Sequence, residues 1–299
     1  MLPARSTHSE SAAHSAMTNP LRRVRSALFT PGTEAARLRK AVTSGADVCI
    51  FDLEDSVPAA RIGDAREIVR EALEELTGTA RIWLRVHPAS SREMAEDLRT
   101  MPLSTLEAVV LPKVSDWDDV EACRRAMKQA RIPTELPVVP IIESAAGVLG
   151  CAAIAEVTGV ACLALGRFDL AADLGIDPDG TSPALAMARA SVVLASTAER
   201  LGLPLDSPWL KITDLSGLRA AAERARADGF GGMLIIHPSH VTTVNEVFSP
   251  TSDEIAWARG IVASAEAESG GRGAYTRDGQ MVDEAIVKRA RAILRDAQT

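Results

Sequence analysis

From Arg22 onward the chain alternates short β-branched, apolar runs with longer amphipathic stretches, and it does so eight times. The apolar runs read VRSALF, ADVCIFD, RIWLRV, EAVVLP, LPVVPIIE, VACLALG, LPLD and GMLIIHP. Helical periodicity fills residues 33–44, 61–76, 116–130, 184–201 and 214–228 between them. Parallel strands must be joined by a crossover, usually a helix, and eight such units close a sheet on itself. The pattern therefore predicts an α/β chain with a (β/α)8 TIM barrel over residues 22–250; an open doubly wound sheet is the alternative. Near-continuous apolar strands suit a sheet covered on both faces. Thr33, Ser115 and Thr213 stand where helix N-caps are wanted, and Gly45, Gly78, Gly202 and Gly229 near helix ends.

The flanks do not fit the repeat. Residues 1–21 are rich in Ser, Ala and His without an apolar signal core and read as a disordered N-terminal extension. Residues 251–299 read as a C-terminal helical arm or lid: a helix over 252–268, the stretch SGGRGAYTRDGQMVD, and a last helix to about Asp296. Gly270, Gly271 and Gly273 would let that arm leave its own barrel and reach a neighbouring subunit.

Charge and cysteine content narrow the function. With 33 basic and 40 acidic residues mixed along the chain, there is no basic stripe for nucleic acid. No apolar run approaches the roughly 20 residues that span a bilayer. Cys49, Cys123, Cys151 and Cys162 lack metal-ligand spacing and read as reduced, buried thiols of a cytoplasmic protein.

In such barrels the chemistry gathers where strands end at their carboxyl side. The sequence delivers Asp52, Glu54 and Asp55 after the second strand, Arg85 and His87 after the third, and Lys113 after the fourth. Glu143 follows the fifth, Gly166, Arg167 and Asp169 the sixth, Asp206 the seventh and His237 the eighth. Asp52 and Glu54 alternate along the chain and can face one side with Leu53 turned away; Asp55 reads as a cap. Asp206 reads as an ordinary ion-pair partner and His237 as a group that fixes its loop. Glu143 and Asp169 have no His or Cys company, and oxygen ligands alone favour magnesium, calcium or manganese over zinc.

Eight motifs then follow in order: RSALFTPG (25–32), DLED (52–55), LRV (84–86), LPK (111–113), IIESAAG (141–147), GRFDL (166–170), IHPSH (236–240) and GAYTRDGQMVD (273–283). The series resembles the citrate lyase beta subunit-like branch of the HpcH/HpaI aldolase superfamily. The resemblance implies a Mg2+-dependent lyase that cleaves or forms a β-hydroxyacyl-CoA such as malyl-, citramalyl- or citryl-CoA, with an acyl-CoA and a 2-oxo acid as partners. It implies metal ligands at Glu143 and Asp169, with Arg85 on the oxo-acid carboxylate and Glu54 ordering substrate and metal-bound water. Lys113, Gly166 and Arg167 would line the substrate site. Asp283, which on its own chemistry reads as an N-cap, becomes by resemblance the acid supplied by a neighbouring subunit of a homotrimer. Two departures stand out: RVHP places His87 and Pro88 beside the oxo-acid pocket where relatives commonly have R-V-N, and GRFDL brings Arg167 where many have GAEDL. A metal-dependent 2-oxo acid aldolase without CoA, and a beta subunit active only in a citrate lyase complex, are the alternatives.

Overall fold

The computed structural model describes residues 21–130, 136–267, 274–277 and 279–298. The expected N-terminal extension, Leu21 apart, and the arm glycines Gly270, Gly271 and Gly273 lie outside them. In chain order the barrel runs β1 (Ser26–Pro31), α1 (Ala35–Val42), β2 (Val48–Asp52), α2 (Ile62–Glu75), β3 (Ile82–Arg85), α3 (Glu93–Thr100) and β4 (Ala108–Leu111). It continues α4 (Trp117–Gln129), β5 (Val138–Ile142), α5 (Ala145–Leu149), α6 (Cys151–Glu156), β6 (Ala164–Leu165), α7 (Arg167–Leu174) and α8 (Pro183–Ala198). β7 (Leu205–Asp206), α9 (Leu215–Asp228), β8 (Gly232–Ile235) and α10 (Val241–Phe248) complete it. The strands pair in parallel in sequence order, and β8 closes on β1. This is the (β/α)8 barrel that the alternation predicts.

Strand alternation divides the core in two. Val48, Ile50, Trp83, Val110, Val139 and Ile141 point inward with Ala27, Ala108, Ala164 and Leu234 and fill the barrel. Their neighbours Cys49, Phe51, Leu84, Val109 and Ile142 point outward and pack under the helices. Trp83 is fully buried, and its indole Nε1 donates to Glu107 Oε2 at 3.1 Å.

Helix ends depart from expectation by one residue. The N-cap of α4 is Asp116, which forms a capping box with Asp119, and Asp214 caps α9 by accepting from the Gly217 N–H at 2.9 Å. A carboxylate accepts these amides and also complements the helix dipole, which the neighbouring Ser115 and Thr213 hydroxyls do not. Glu34 stands at the N-cap of α1 without a side-chain cap. Gly229 ends α9 in the left-handed region at φ +102°, as expected, whereas after α8 that conformation falls on Arg200 (φ +56°) and not on Gly202.

Beyond the barrel, α11 (Ser252–Ala267) packs on α12 (Glu284–Asp296) through Ala258, Ile261, Val287 and Ala290. Between them an antiparallel hairpin, β9 (Ala274–Arg277) and β10 (Gln280–Asp283), stands within the Gly-rich stretch, to which the sequence pattern assigns no element. Val282 is buried against α11. No helix among the described residues is long and apolar enough to cross a membrane. All four cysteines are free and buried; burial pushes the Cys49, Cys123 and Cys162 thiols up to about 12 and Cys151 to about 11, which leaves them unreactive.

Because Trp83 fills the barrel interior, Trp83→Ala is expected to cost about 3–5 kcal/mol. The urea midpoint should fall accordingly; an unchanged midpoint would show that the interior does not depend on this ring.

Candidate active site

Strand register builds the first half of the site. Residue 52 of β2 lies opposite residue 85 of β3, so Asp52 and Arg85 meet side by side at the carboxyl rim. Arg85 Nε and Nη2 each donate to one oxygen of Asp52 at 2.6 Å, a two-pronged pair whose carboxylate is 1% exposed. Asp52 also accepts from the Glu54 N–H at 3.0 Å and from the Ser56 hydroxyl. The guanidinium lies over the Phe29 ring, 4.5 Å from its centre, and Nη1 stands 3.4 Å from Glu54 Oε2. Burial opposes its charge, but Asp52 and Glu54 outweigh that and hold Arg85 above its ordinary range. Asp52 thus occupies the fork that the resemblance assigns to a substrate carboxylate, and Nη1 faces Glu54 and, at 3.8 Å, Asp55.

Lys113 joins the two halves. It is a non-glycine residue at φ +54°, in a region that costs a β-carbon about 1 kcal/mol or more. In that conformation its backbone N–H donates to Glu143 Oε1 at 2.6 Å, while its ammonium reaches Glu54 and, at 2.9 Å, Asp55 Oδ1. One residue therefore orients an acid of β5 and neutralises two after β2. Burial pushes Glu54 upward; for Asp55 burial acts the same way, but Lys113 prevails and its carboxyl falls below the usual range.

The second half centres on Glu143, 7% exposed at the end of β5. In ESAAG, the Ser144 hydroxyl caps α5 by accepting from the Gly147 N–H at 3.1 Å, and Asp173 of α7 accepts from the Ala145 N–H at 2.8 Å. A β-carbon on Gly147 would stand 2.4 Å from the Val114 carbonyl, so only glycine lets α5 pack so closely. Gly166 is similarly constrained: its β-carbon would fall 2.3 Å from Glu143 Oε2. Burial, reinforced by Asp169 and opposed by the Lys113 N–H, pushes the Glu143 carboxyl up to about 8.

Glu143, Asp169, Asp52, Asp55, Arg85 and Gly166 line one cavity of about 380 Å³. Two carboxylates, one so buried that it resists ionising, suit a divalent cation held by oxygen. The described residues contain no group of three His, Cys, Asp or Glu side chains poised to hold a metal, so water and substrate would fill the remaining positions.

Other expected residues fall elsewhere. The Arg167 side chain leaves this cavity: Nη1 donates to the Pro178 carbonyl at 2.9 Å and lies 3.4 Å from Asp179, in a neighbouring cavity. As the first residue of α7 it points away from the side that carries Asp169, which corrects its expected place lining the substrate site with Gly166. His87 also turns away, its Nδ1 2.7 Å from the fully buried Asp97, which Arg66 holds from α2. Asp206 pairs with Arg189 at 2.7 Å, and His237 fixes its loop through Ser239 at 2.7 Å. Asp283 caps α12, accepting from the Ile286 N–H at 3.0 Å, and does not line the cavity of its own chain. Asp55, expected as a cap, lines the cavity and pairs with Lys113 from two strands away, a contact without a local signal. Phe29 and Phe168, which also line the cavity, carried none.

The profile of the HpcH/HpaI aldolase/citrate lyase family matches residues 25–238. The chain belongs to this family of carbon–carbon lyases. It is 34% identical to a (3S)-malyl-CoA thioesterase of Cereibacter sphaeroides, over 92% of this chain and 94% of that protein. It is 33% identical to the L-malyl-CoA/beta-methylmalyl-CoA lyase of the same organism, over 93% and 96%. Among solved structures, CitE of Mycobacterium tuberculosis in complex with magnesium, acetoacetate and coenzyme A superposes with a TM-score of 0.76 at 31% identity, covering 93% of this chain and 99% of that one.

Glu143 gives a pH test. Its folded value near 8 exceeds the ordinary 4.5, so its contribution to stability is complete below pH 4.5 and is lost as pH rises, the loss being complete once the folded group ionises near pH 8. In chelator, the melting temperature of the wild type relative to Glu143→Gln should decline between pH 5 and 8 and then level off. A difference that does not change with pH would contradict this environment.

Proposed function

We propose that the protein is a Mg2+-dependent lyase that cleaves or forms a β-hydroxyacyl-CoA such as malyl-, citramalyl- or citryl-CoA, releasing or consuming a 2-oxo acid. The observation that carries this reading is the buried Glu143 carboxylate beside Asp169, facing one cavity with Arg85 across it. Glu143 and Asp169 would hold magnesium, which when bound supplies Lewis acidity at the 2-oxo group. Arg85, its fork anchored on Asp52, would turn Nη1 from Glu54 and Asp55 to the oxo-acid carboxylate. Glu54 and Lys113 hold one another beside that cavity, without lining it; Glu54 would order substrate and water, and Lys113 would keep Asp55 and Glu143 in position. Gly166 leaves Glu143 the space that a side chain would take.

A second cavity of about 380 Å³ shares Phe29, Pro31 and Ile236 with the first and carries Arg37 and Lys40 on its wall. That positive edge supports a phosphate-bearing thioester over a CoA-free substrate. Identity to a thioesterase and to a lyase is near-equal, and the family's carbon–carbon lyase chemistry is what favours the lyase reading.

The proton on the acyl-CoA carbon is assigned to Asp283 from the arm of a neighbouring subunit in a homotrimer. It takes that proton when the bond forms and returns it when the bond breaks. Within one chain the residue does not line the cavity, so in this reading the neighbouring subunit supplies it.

The test mixes two inactive variants, Asp169→Ala and Asp283→Ala, under conditions that exchange subunits. Shared sites should restore about a quarter of wild-type activity at equal mixing, because one site in four combines an intact cavity with an intact arm. Confirmed exchange without activity would refute the shared site, and a monomer in light scattering would refute the assembly.

A further inference from the structure

A cavity of about 570 Å³ lies among α7, α8 and α9 and shares with the candidate active site only Pro208 of its lining residues. Its volume falls within the roughly 300–1,000 Å³ of pockets that enclose small organic ligands. The proposed lyase chemistry makes no use of it. On its wall stands Arg167, the departure from the family pattern that the active site leaves aside. The Arg167 backbone N–H donates to the Ser207 hydroxyl at 2.8 Å, and the guanidinium stacks 4.7 Å from the centre of the Phe168 ring. Its Nη1 donates to the Pro178 carbonyl at 2.9 Å, so the side chain is held in place before any ligand arrives.

Those contacts use one end of the guanidinium and leave the other open. Nε and Nη2 make no hydrogen bond among the described residues, and neither is sealed from solvent, the side chain being 12% exposed. Nε and Nη2 form the edge that grips a carboxylate through two parallel bonds, as the same atoms of Arg85 grip Asp52. The carboxylates of the wall are already answered. Arg189 donates to both oxygens of Asp206 at 2.7–2.8 Å and to Asp228 at 2.9 Å. Asp179 lies 3.4 Å from Arg167 Nη1 and 3.4 Å from Lys211 Nζ. Arg224, exposed on the same wall, makes no hydrogen bond or ion pair among the described residues. Arg167, Arg189, Arg224 and Lys211 therefore outnumber Asp179, Asp206 and Asp228 by one charge.

We propose that this cavity binds a small organic carboxylate with an apolar body, its carboxylate gripped by the open Nε–Nη2 edge of Arg167. The carboxylate would supply the two acceptors that this edge lacks and offset the surplus positive charge. Pro183, Pro208 and Trp209 give the cavity apolar walls that a bare inorganic anion would leave wet, so the ligand carries a carbon body. Because Phe168 and the Pro178 carbonyl already fix Arg167, binding spends little on ordering that side chain. The site goes beyond the proposed lyase activity and does not rest on it.

The experiment measures the melting temperature of the full chain in chelator, with sodium phenylacetate against phenylacetamide and against sodium chloride of equal ionic strength. Phenylacetate joins a carboxylate to a small ring, and the amide keeps the shape without the charge. At about 20 mM, phenylacetate should raise the melting temperature by about 2 °C and the two controls by less than half as much. Arg167→Gln should abolish the rise. Ala190→Phe, which places a ring at an exposed position of the cavity wall, should remove at least half of it. If Arg167→Gln does not fold, Ala190→Phe decides. No rise, an equal rise in either control, or a rise undiminished in the variant that decides would overturn the proposal.

Discussion

The mouth of this barrel depends on an imbalance of charge. The buried Asp52, Glu54 and Glu143 and the more exposed Asp55 and Asp169 converge there against Arg85 and Lys113. Carboxylates withdrawn from water must be paired, protonated or placed on a cation. Arg85 neutralises Asp52, and Lys113 is divided between Glu54 and Asp55. Glu143 receives only a backbone N–H and Asp169 adds to its difficulty, so its carboxyl is pushed up to about 8. The charge left over lies where Glu143 and Asp169 share a cavity, and that is the physical ground for placing a divalent cation between them.

Much of this was legible in the sequence because a parallel barrel converts linear order into place. Once eight strands are recognised, the residues ending them must share a rim, and Asp52, Arg85, Lys113, Glu143 and Asp169 do. Side-chain direction beyond the strand ends was less legible. Arg167 and Asp169 are two residues apart on the first turn of α7, so they point different ways, and Arg167 finds the Pro178 carbonyl instead of the cavity. His87 is drawn outward by Asp97, ten residues on, and nothing local announces that pairing. Asp55 looked like a cap because its cation comes from Lys113, whose left-handed backbone no propensity would have assigned.

The C-terminal arm shows a similar limit. Its helices follow from periodicity, while the hairpin between them rests on a short antiparallel pairing of Ala274–Arg277 with Gln280–Asp283. Capping by Asp283 was readable from its position before a helix, and the structure realises it. A cap uses one carboxylate oxygen, Oδ1, so the capping bond and the proposed proton transfer are compatible in one residue.

The most direct measurement of the central claim is an anomalous difference map from crystals grown with manganese in place of magnesium. The account predicts one strong peak within bonding distance of both Glu143 and Asp169. A peak beside Asp52 and Glu54 instead, or no peak at the carboxyl rim, would contradict it.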